Sequence, residues 1–99
     1  MRTIWKLKLE IVDIQEFVLP KGTAVLHIGV QGTQPCMWVE LDPEAEVETR
    51  KFMTVGTGHE VPENGTYRGS YCIGDGKRQL VQRQLVEPTF FVGHIYELI

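Results

Sequence analysis

The stretch from Gly56 to His59 has the residue types that could bind an anion. Its two glycines let backbone N–H groups approach a ligand closely, its threonine adds a hydroxyl, and its histidine can donate a hydrogen bond to a phosphate. Arg50 and Lys51 precede it and add positive charge. These residues predict a loop that binds a nucleotide-type phosphate. The alternative is a strand-to-loop corner in which the glycines take positive φ and the histidine caps the backbone, because two glycines alone lack the context of a P-loop.

Trp38 and His94 are the other residues that could contact a ligand. Trp38 alternates with Met37 and Val39, so it faces away from their apolar side, toward a groove, a subunit partner or a stacked base. His94 lies among apolar residues, where it is either a hydrogen-bonded core residue or a ligand contact. The predicted ligand-binding residues are therefore Gly56, Thr57, Gly58, His59, Trp38, Arg50, Lys51 and His94.

Catalytic and metal-binding patterns are not recognised in the sequence. There is no Gly-x-Ser-x-Gly elbow, and neither Cys36 nor Cys72 lies in an activating context. The two cysteines, His59 and His94 do not have the close spacing of zinc-binding motifs. We therefore expect a non-enzymatic protein with no catalytic residue, no metal and no cofactor.

The elements that must position these residues are mostly strands. Apolar and polar residues alternate with period two, and glycine, proline and asparagine separate the alternating runs. The predicted strands lie at residues 5–11, 17–19, 24–31, 37–41, 52–55, 67–73 and 89–99. About six or seven short strands in 99 residues predict a mainly β protein, a single domain over 1–99, folded as a small antiparallel sandwich or barrel.

Three local patterns carry more specific expectations. The segment 77–87 suits either a short amphipathic helix or a strand. The segment 89–99 is apolar on both faces, which indicates a central strand or one covered by a partner chain. Trp5 alternates in phase with Leu7 and is expected in the core, and Tyr67 is expected on the same face as Tyr71.

Composition narrows the class of protein. Apolar residues make up 42% and charged residues 23%, which is typical of a globular chain. The formal net charge of −3 argues against nucleic-acid binding, although it leaves a local basic patch open. With two cysteines, no recognisable leader and no apolar run of about 20 residues, we expect a cytoplasmic protein without a membrane segment.

An ordered set of short motifs resembles an uncharacterised family of small proteins from phages and prophages. The motifs are Ile4-Trp5-Lys6, Leu19-Pro20-Lys21-Gly22, Pro35-Cys36-Met37-Trp38, Gly56-Thr57-Gly58-His59 with Pro62, Tyr67-Arg68-Gly69 and Phe91-Val92-Gly93-His94-Ile95-Tyr96-Glu97. The chain departs from the family pattern between Ile73 and Pro88, where it is longer. The resemblance implies a viral protein, located in the host cytoplasm, that acts by binding.

Two function hypotheses follow. The first is a phage anti-defence protein that sequesters a small anionic nucleotide-type ligand in a homo-oligomer, so that a nucleotide signal of bacterial immunity is removed. The alternative is a protein–protein inhibitor or adaptor that acts on a host protein through an exposed sheet edge or an aromatic patch. A structural or virion-accessory role comes third.

Overall fold

The computed structural model describes residues 1–74, 79–81, 84–86 and 90–99, with side chains for 1–74 and 91–99. Within these ranges the backbone forms β-strands and no helix. The strands are β1 (Thr3–Lys8), β2 (Ile14–Pro20), β3 (Ala24–Gln31), β4 (Gln34–Leu41), β5 (Val47–Gly56), β6 (Gly65–Gly74), β7 (Gln79–Val81), β8 (Gln84–Val86) and β9 (Phe90–Leu98). The prediction of a mainly β protein is confirmed.

Sheet A contains three antiparallel strands in the order β1-β4-β3. β3 and β4 form a hairpin in which Gln31 lies opposite Gln34, so only Gly32 and Thr33 connect them. Gly32 has a φ of +65°, a conformation that favours glycine, and this explains why the chain turns here. β4 is the central strand of this sheet, and its side chains alternate between the core and the outer surface, as in any β-strand.

Sheet B contains four antiparallel strands in the order β2-β5-β9-β6. β9 pairs with β5 on one side and with β6 on the other, so the expectation of a central strand over 89–99 is confirmed for its described part. One face of β9 lies in the core, where Ile95 is fully buried, and the other face is half-buried at His94 and Tyr96.

The two sheets pack as a small sandwich around one hydrophobic cluster. Sheet A contributes Met37, Val39 and Leu41 from β4, and sheet B contributes Phe52 and Ile95; each is at most 1% exposed. Burying a side chain of this size stabilises the fold by about 1.5–3 kcal/mol. The packing between the sheets is thus the main reason why the alternating sequence folds in this way.

The sheets come closest where β6 passes β3. A Cβ at position 69 would lie 2.8 Å from the Cβ of Ile28, and Gly69 has a φ of +153°. Both the close approach and the backbone conformation require glycine. This contact fixes how the two sheets are placed relative to each other.

A β-bulge beside this contact reverses the side-chain alternation of β6. Tyr67 pairs with Tyr96 and Gly69 with Ile95, which leaves Arg68 as the extra residue. Tyr67 therefore lies on the outer face, 54% exposed, whereas Tyr71 lies in the core, 3% exposed. The expectation that these two tyrosines share a face is wrong, because one inserted residue moves the side chains before it to the other face.

β7 and β8 pair with each other in a separate two-stranded sheet. The sequence left helix and strand open over 77–87, and the described parts of that segment, 79–81 and 84–86, are strand. Residues 77–78, 82–83 and 87 lie outside the described residues.

Trp5 is not a core residue. Its Cα partner is the buried Val39, so its position in the alternation is as expected, but its side chain is 40% exposed. The reason is that β1 is an edge strand of sheet A, where an inward side chain is covered on one side only. The prediction of a buried Trp5 is therefore wrong.

Candidate functional site

The predicted Gly56–His59 loop is an exposed turn at the end of β5. The His59 amide donates to the carbonyl oxygen of Gly56 at 3.0 Å, which closes the turn. Gly58 has a φ of +90°, the positive value that a type II turn needs at its third residue. Thr57, Gly58 and His59 are all exposed. Gly58 therefore allows the chain to turn here, and the turn exposes the hydroxyl of Thr57 and the imidazole of His59 to solvent.

A chain of hydrogen bonds connects this turn to the outer face of sheet B. Thr57 Oγ1 lies 2.9 Å from His94 Nε2, and Ser70 Oγ lies 2.6 Å from His94 Nδ1. Ser70 Oγ also lies 2.6 Å from the hydroxyl of Tyr67. Ser70 and His94 are direct partners across β6 and β9, which places their side chains together. Because each hydroxyl can donate or accept a hydrogen bond, this series of bonds can form with either tautomer of His94.

Aromatic and apolar residues border this hydrogen-bond chain. The rings of Tyr67 and Tyr96 have centroids 5.4 Å apart at an interplanar angle of 59°. The loop after the turn folds back over this face, since a Cβ at Gly65 would meet Pro62 Cγ at 2.7 Å. Val61 in the same loop remains 52% exposed. The outer face of sheet B therefore combines polar groups with aromatic surface.

Turn, loop and sheet together enclose an open cleft of about 230 Å³, which we call the His94 cleft. It contains all five of the predicted ligand-binding residues that lie in the turn and on β9. Its lining residues are Val55, Gly56, Thr57, Gly58, His59, Val61, His94 and Tyr96. Two distant histidines of the sequence thus meet in one depression.

Among the described residues, the lining of the His94 cleft includes neither lysine nor arginine. Its polar side chains include the imidazoles of His59 and His94 and the hydroxyl of Thr57. Recognition of an anion here would therefore depend on hydrogen-bond donors rather than on permanent charge.

Arg50 does not belong to the cleft. It lies six residues before Gly56 on β5, roughly 20 Å along an extended strand. Its Nε lies 2.5 Å from Glu97 Oε2, its Nη2 lies 2.7 Å from Glu97 Oε1, and its Nη1 donates to the carbonyl oxygen of Thr23. Arg68 donates to the same Oε1, at 3.0 Å from Nε and 2.8 Å from Nη2. These bonds hold the guanidinium of Arg50 in an ion-pair cluster with Glu97 and Arg68, away from the cleft.

The ion-pair cluster also shifts the acidity of its members. Burial by itself raises the pKa of Glu97, but hydrogen bonds and charge from Arg50 and Arg68 outweigh it and hold the pKa below its usual range. The bond to Glu97 raises the pKa of Arg50 against the opposing effect of burial. The side chains of Arg50 and Glu97 are only 11% and 12% exposed, so these charges stabilise each other in the folded state.

Lys51 and Trp38 also lie away from the cleft. The Nζ of Lys51 is 3.6 Å from Glu16 Oε1, and both side chains are exposed on sheet B. Trp38 lies on β4 in sheet A, where it neighbours His27. The structure therefore brings together Gly56, Thr57, Gly58, His59 and His94 and leaves Arg50, Lys51 and Trp38 elsewhere.

Ser70, Tyr67 and Tyr96 belong to this site although they were not among the predicted ligand-binding residues. Alternation along the last strand puts Tyr96 on the same face as His94, so this residue had a signal in the sequence. Ser70 had no such signal, because the bulge at Arg68 changes which residues of β6 face His94. Neither the bulge nor the pairing of two strands distant in sequence has a signature in the local pattern.

Comparisons with known proteins give a partial match. Residues 1–81 match the model of a family described as a domain of unknown function, DUF7352. No curated protein and no solved structure matches the chain. Within the described part of the chain, no helix has the length and apolar character needed to cross a membrane.

Proposed function

Since the chain belongs to the DUF7352 family, a domain of unknown function, we propose its function from the geometry of the His94 cleft. The cleft binds a small anionic ligand of nucleotide type, and the protein acts by holding that ligand rather than by converting it. In the phage setting that the motif resemblance implies, such binding would sequester a nucleotide signal of host immunity. The meeting of His59, His94 and Tyr96 in one cleft carries the proposal.

The chemistry of the lining suits the two parts of a nucleotide. The imidazoles of His59 and His94 and the hydroxyl of Thr57 can donate hydrogen bonds to phosphate oxygens. The exposed turn adds backbone N–H groups at a glycine, where no Cβ hinders approach. Tyr96 and its neighbour Tyr67 offer aromatic surface to a base, and base–aromatic stacking contributes about 1–3 kcal/mol.

The size of the cleft bears on the oligomer. At about 230 Å³ it is smaller than the roughly 300–1,000 Å³ of common ligand pockets. A complete nucleotide would extend beyond it, and a second copy of the chain could cover the remainder. Homo-oligomer formation is therefore part of the proposal, because the cleft is open and too small for a complete nucleotide.

The three histidines of the chain provide a matched set of variants. His59→Asn and His94→Asn each change the cleft, whereas His27→Asn changes sheet A only. Adenosine monophosphate, cyclic adenosine monophosphate and ADP-ribose serve as probes, and the measurements are thermal stabilisation and equilibrium titration. We expect at least one probe to bind, each cleft variant to weaken it about tenfold, and His27→Asn to leave it unchanged.

Two results would contradict the proposal. If no probe stabilises the native protein, or if all three variants behave alike, the cleft does not bind nucleotides. Chromatography of the recovered probe separates binding from turnover: intact probe supports sequestration, and a converted probe would show that the protein is an enzyme.

A second candidate function is inhibition of a host protein through the edge strand β2. This strand lies at the edge of sheet B, and its outward residues Ile14 and Val18 are 51% and 64% exposed. An exposed edge with apolar side chains is a site for strand addition by a partner. The test is a pull-down from host lysate. This function would be favoured if one stoichiometric host protein is retained by the wild type and by Val47→Lys but is lost with Val18→Lys.

A further inference from the structure

The outer face of sheet A carries an aromatic pair on its central strand. Trp38 on β4 has Lys6 of β1 and His27 of β3 as its direct Cα partners, so the three side chains lie side by side. Lys8 lies two residues further along β1 and points to the same face. We call these four residues the Trp38 face. None of them lines the His94 cleft.

The aromatic pair is held in place by a glycine. The ring centroids of His27 and Trp38 lie 5.5 Å apart at an interplanar angle of 38°. A Cβ at Gly29 would lie 2.7 Å from His27 Nε2 and 3.6 Å from Trp38 Cζ3, so both rings rest against the backbone of β3. Trp38 is half-buried and His27 is exposed. The pair therefore forms a preformed surface that loses little conformational entropy on binding.

The charge around the aromatic pair is positive, unlike that of the whole chain. Lys6 donates to the neutral amide of Gln31, so its charge is not cancelled. Arg2 reaches this face through an ion pair of 2.7 Å with Glu40. Three cations and one carboxylate give a formal charge of +2 here, which leaves −5 for the rest of a chain whose total is −3. The net charge thus conceals a local basic patch.

We propose that the Trp38 face binds single-stranded nucleic acid. Bases stack on Trp38 and His27, and Lys6 and Lys8, about 7 Å apart along one strand, contact the phosphates. A duplex would not offer unstacked bases to the aromatic pair, so single strands are preferred. The expectation from net charge, which argued against nucleic acid, applies to the whole chain and not to this face.

Tryptophan fluorescence tests the proposal directly. Trp5 and Trp38 are the two tryptophans of the chain, so the Trp5→Phe variant reports on Trp38 alone. Titration with oligothymidine is expected to quench this signal, because a stacked base contacts the indole. The matching duplex and polyglutamate are the controls. Equal quenching by polyglutamate, or no quenching by oligothymidine, would overturn the proposal.

Matched lysine variants test the charge contribution. The pair Lys6→Gln and Lys8→Gln is expected to weaken oligothymidine binding about tenfold and to reduce its salt dependence. The control pair Lys21→Gln and Lys51→Gln removes the same charge elsewhere and is expected to have little effect. Equal weakening by both pairs would mean that binding follows overall charge and not this face.

Trp38→Leu and His94→Asn separate this site from the cleft. Trp38→Leu is expected to weaken oligothymidine binding by roughly tenfold, while His94→Asn leaves it unchanged. If Trp38→Leu does not fold, Gly29→Ala is the second variant, because its added Cβ would occupy the space of the His27 ring and push that ring off the outer face of sheet A. Loss of oligothymidine binding in His94→Asn would show that the cleft, and not the Trp38 face, is the binding site.

Discussion

Two polar clusters lie on opposite faces of the central strand β9. On the inner side Glu97 is held by Arg50 and Arg68, and on the outer side His94 is held between Thr57 and Ser70. The inner cluster joins full charges, and those of Arg50 and Glu97 are mostly buried, so each of these two needs a charged partner in the folded state. The outer cluster joins neutral hydroxyls to an imidazole at the surface, so a ligand can replace one of its bonds at little cost.

The difference shows that positive charge near a glycine-rich turn does not identify a binding residue. Arg50 is close to the turn in sequence, and that is why it was predicted to bind the ligand. Six residues of extended strand and an opposing carboxylate place it in the interior instead. Whether an arginine serves the fold or a ligand depends on the carboxylate that the tertiary structure brings to it.

The largest expected effect comes from Glu97→Gln. This change leaves the guanidinium groups of Arg50 and Arg68 without their carboxylate, and we expect the free energy of unfolding in urea to fall by about 3 kcal/mol or more. Glu16→Gln is the control, since its ion pair with Lys51 is exposed and is expected to contribute less than about 1 kcal/mol. Equal losses in the two variants would contradict the structural role of the inner cluster.

Acid is expected to weaken the same cluster. Because folding lowers the pKa of Glu97 below its usual value of 4.5, its contribution is complete above that pH and is lost as the pH falls through the lower folded value. Urea denaturation from neutral pH to below 4.5 should show falling stability. Other carboxylates contribute as well, so the test is the comparison with Glu97→Gln, whose stability should fall less steeply with acid. Parallel curves would contradict it.

A smaller loss of stability is expected for His94→Asn. The change disturbs hydrogen bonds to Thr57 and Ser70 at a half-buried position, and each such bond contributes about 0.5–1.5 kcal/mol. We expect the free energy of unfolding to fall by roughly 1 kcal/mol, well below the effect of Glu97→Gln. A loss as large as that of Glu97→Gln would show that the outer cluster is as closed and as structural as the inner one.

The smallest effect is expected for His59→Asn. The imidazole of His59 is exposed, and within the described residues only its backbone amide, not its ring, makes a hydrogen bond. Stability should therefore change by less than about 0.5 kcal/mol, as for most surface substitutions. The measurement is the thermal unfolding of His59→Asn compared with that of the wild type. A marked loss would indicate that the ring caps the turn, as the corner interpretation of this sequence holds.

Much of the fold was predictable from local pattern. Period-two alternation predicted most of the strands, and the β3–β4 hairpin turns at Gly32, a residue type that turns favour. Alternation along the last strand is likewise enough to put Ile95 and His94 on opposite faces. These features follow from neighbouring residues alone, because side-chain direction in a strand and backbone freedom at glycine are local properties.

The candidate site was predictable only in part. The turn from Gly56 to His59 is local, and its exposure agrees with its glycine content. Its meeting with His94 and Ser70 depends on the pairing of β5, β9 and β6, which are joined by long stretches of chain. The bulge at Arg68 then decides that Ser70, and not its neighbours, faces His94.

The sequence by itself determined a β-rich chain with a glycine turn after β5 and with Trp38 on the face opposite its apolar neighbours. Only the tertiary structure decided that Arg50 and Glu97 form a buried ion pair, that His59 and His94 share a cleft, and that Trp38 lies on another sheet. The physical reason is that strand order and register are set by packing across the whole core, where distant segments must bury their apolar faces together.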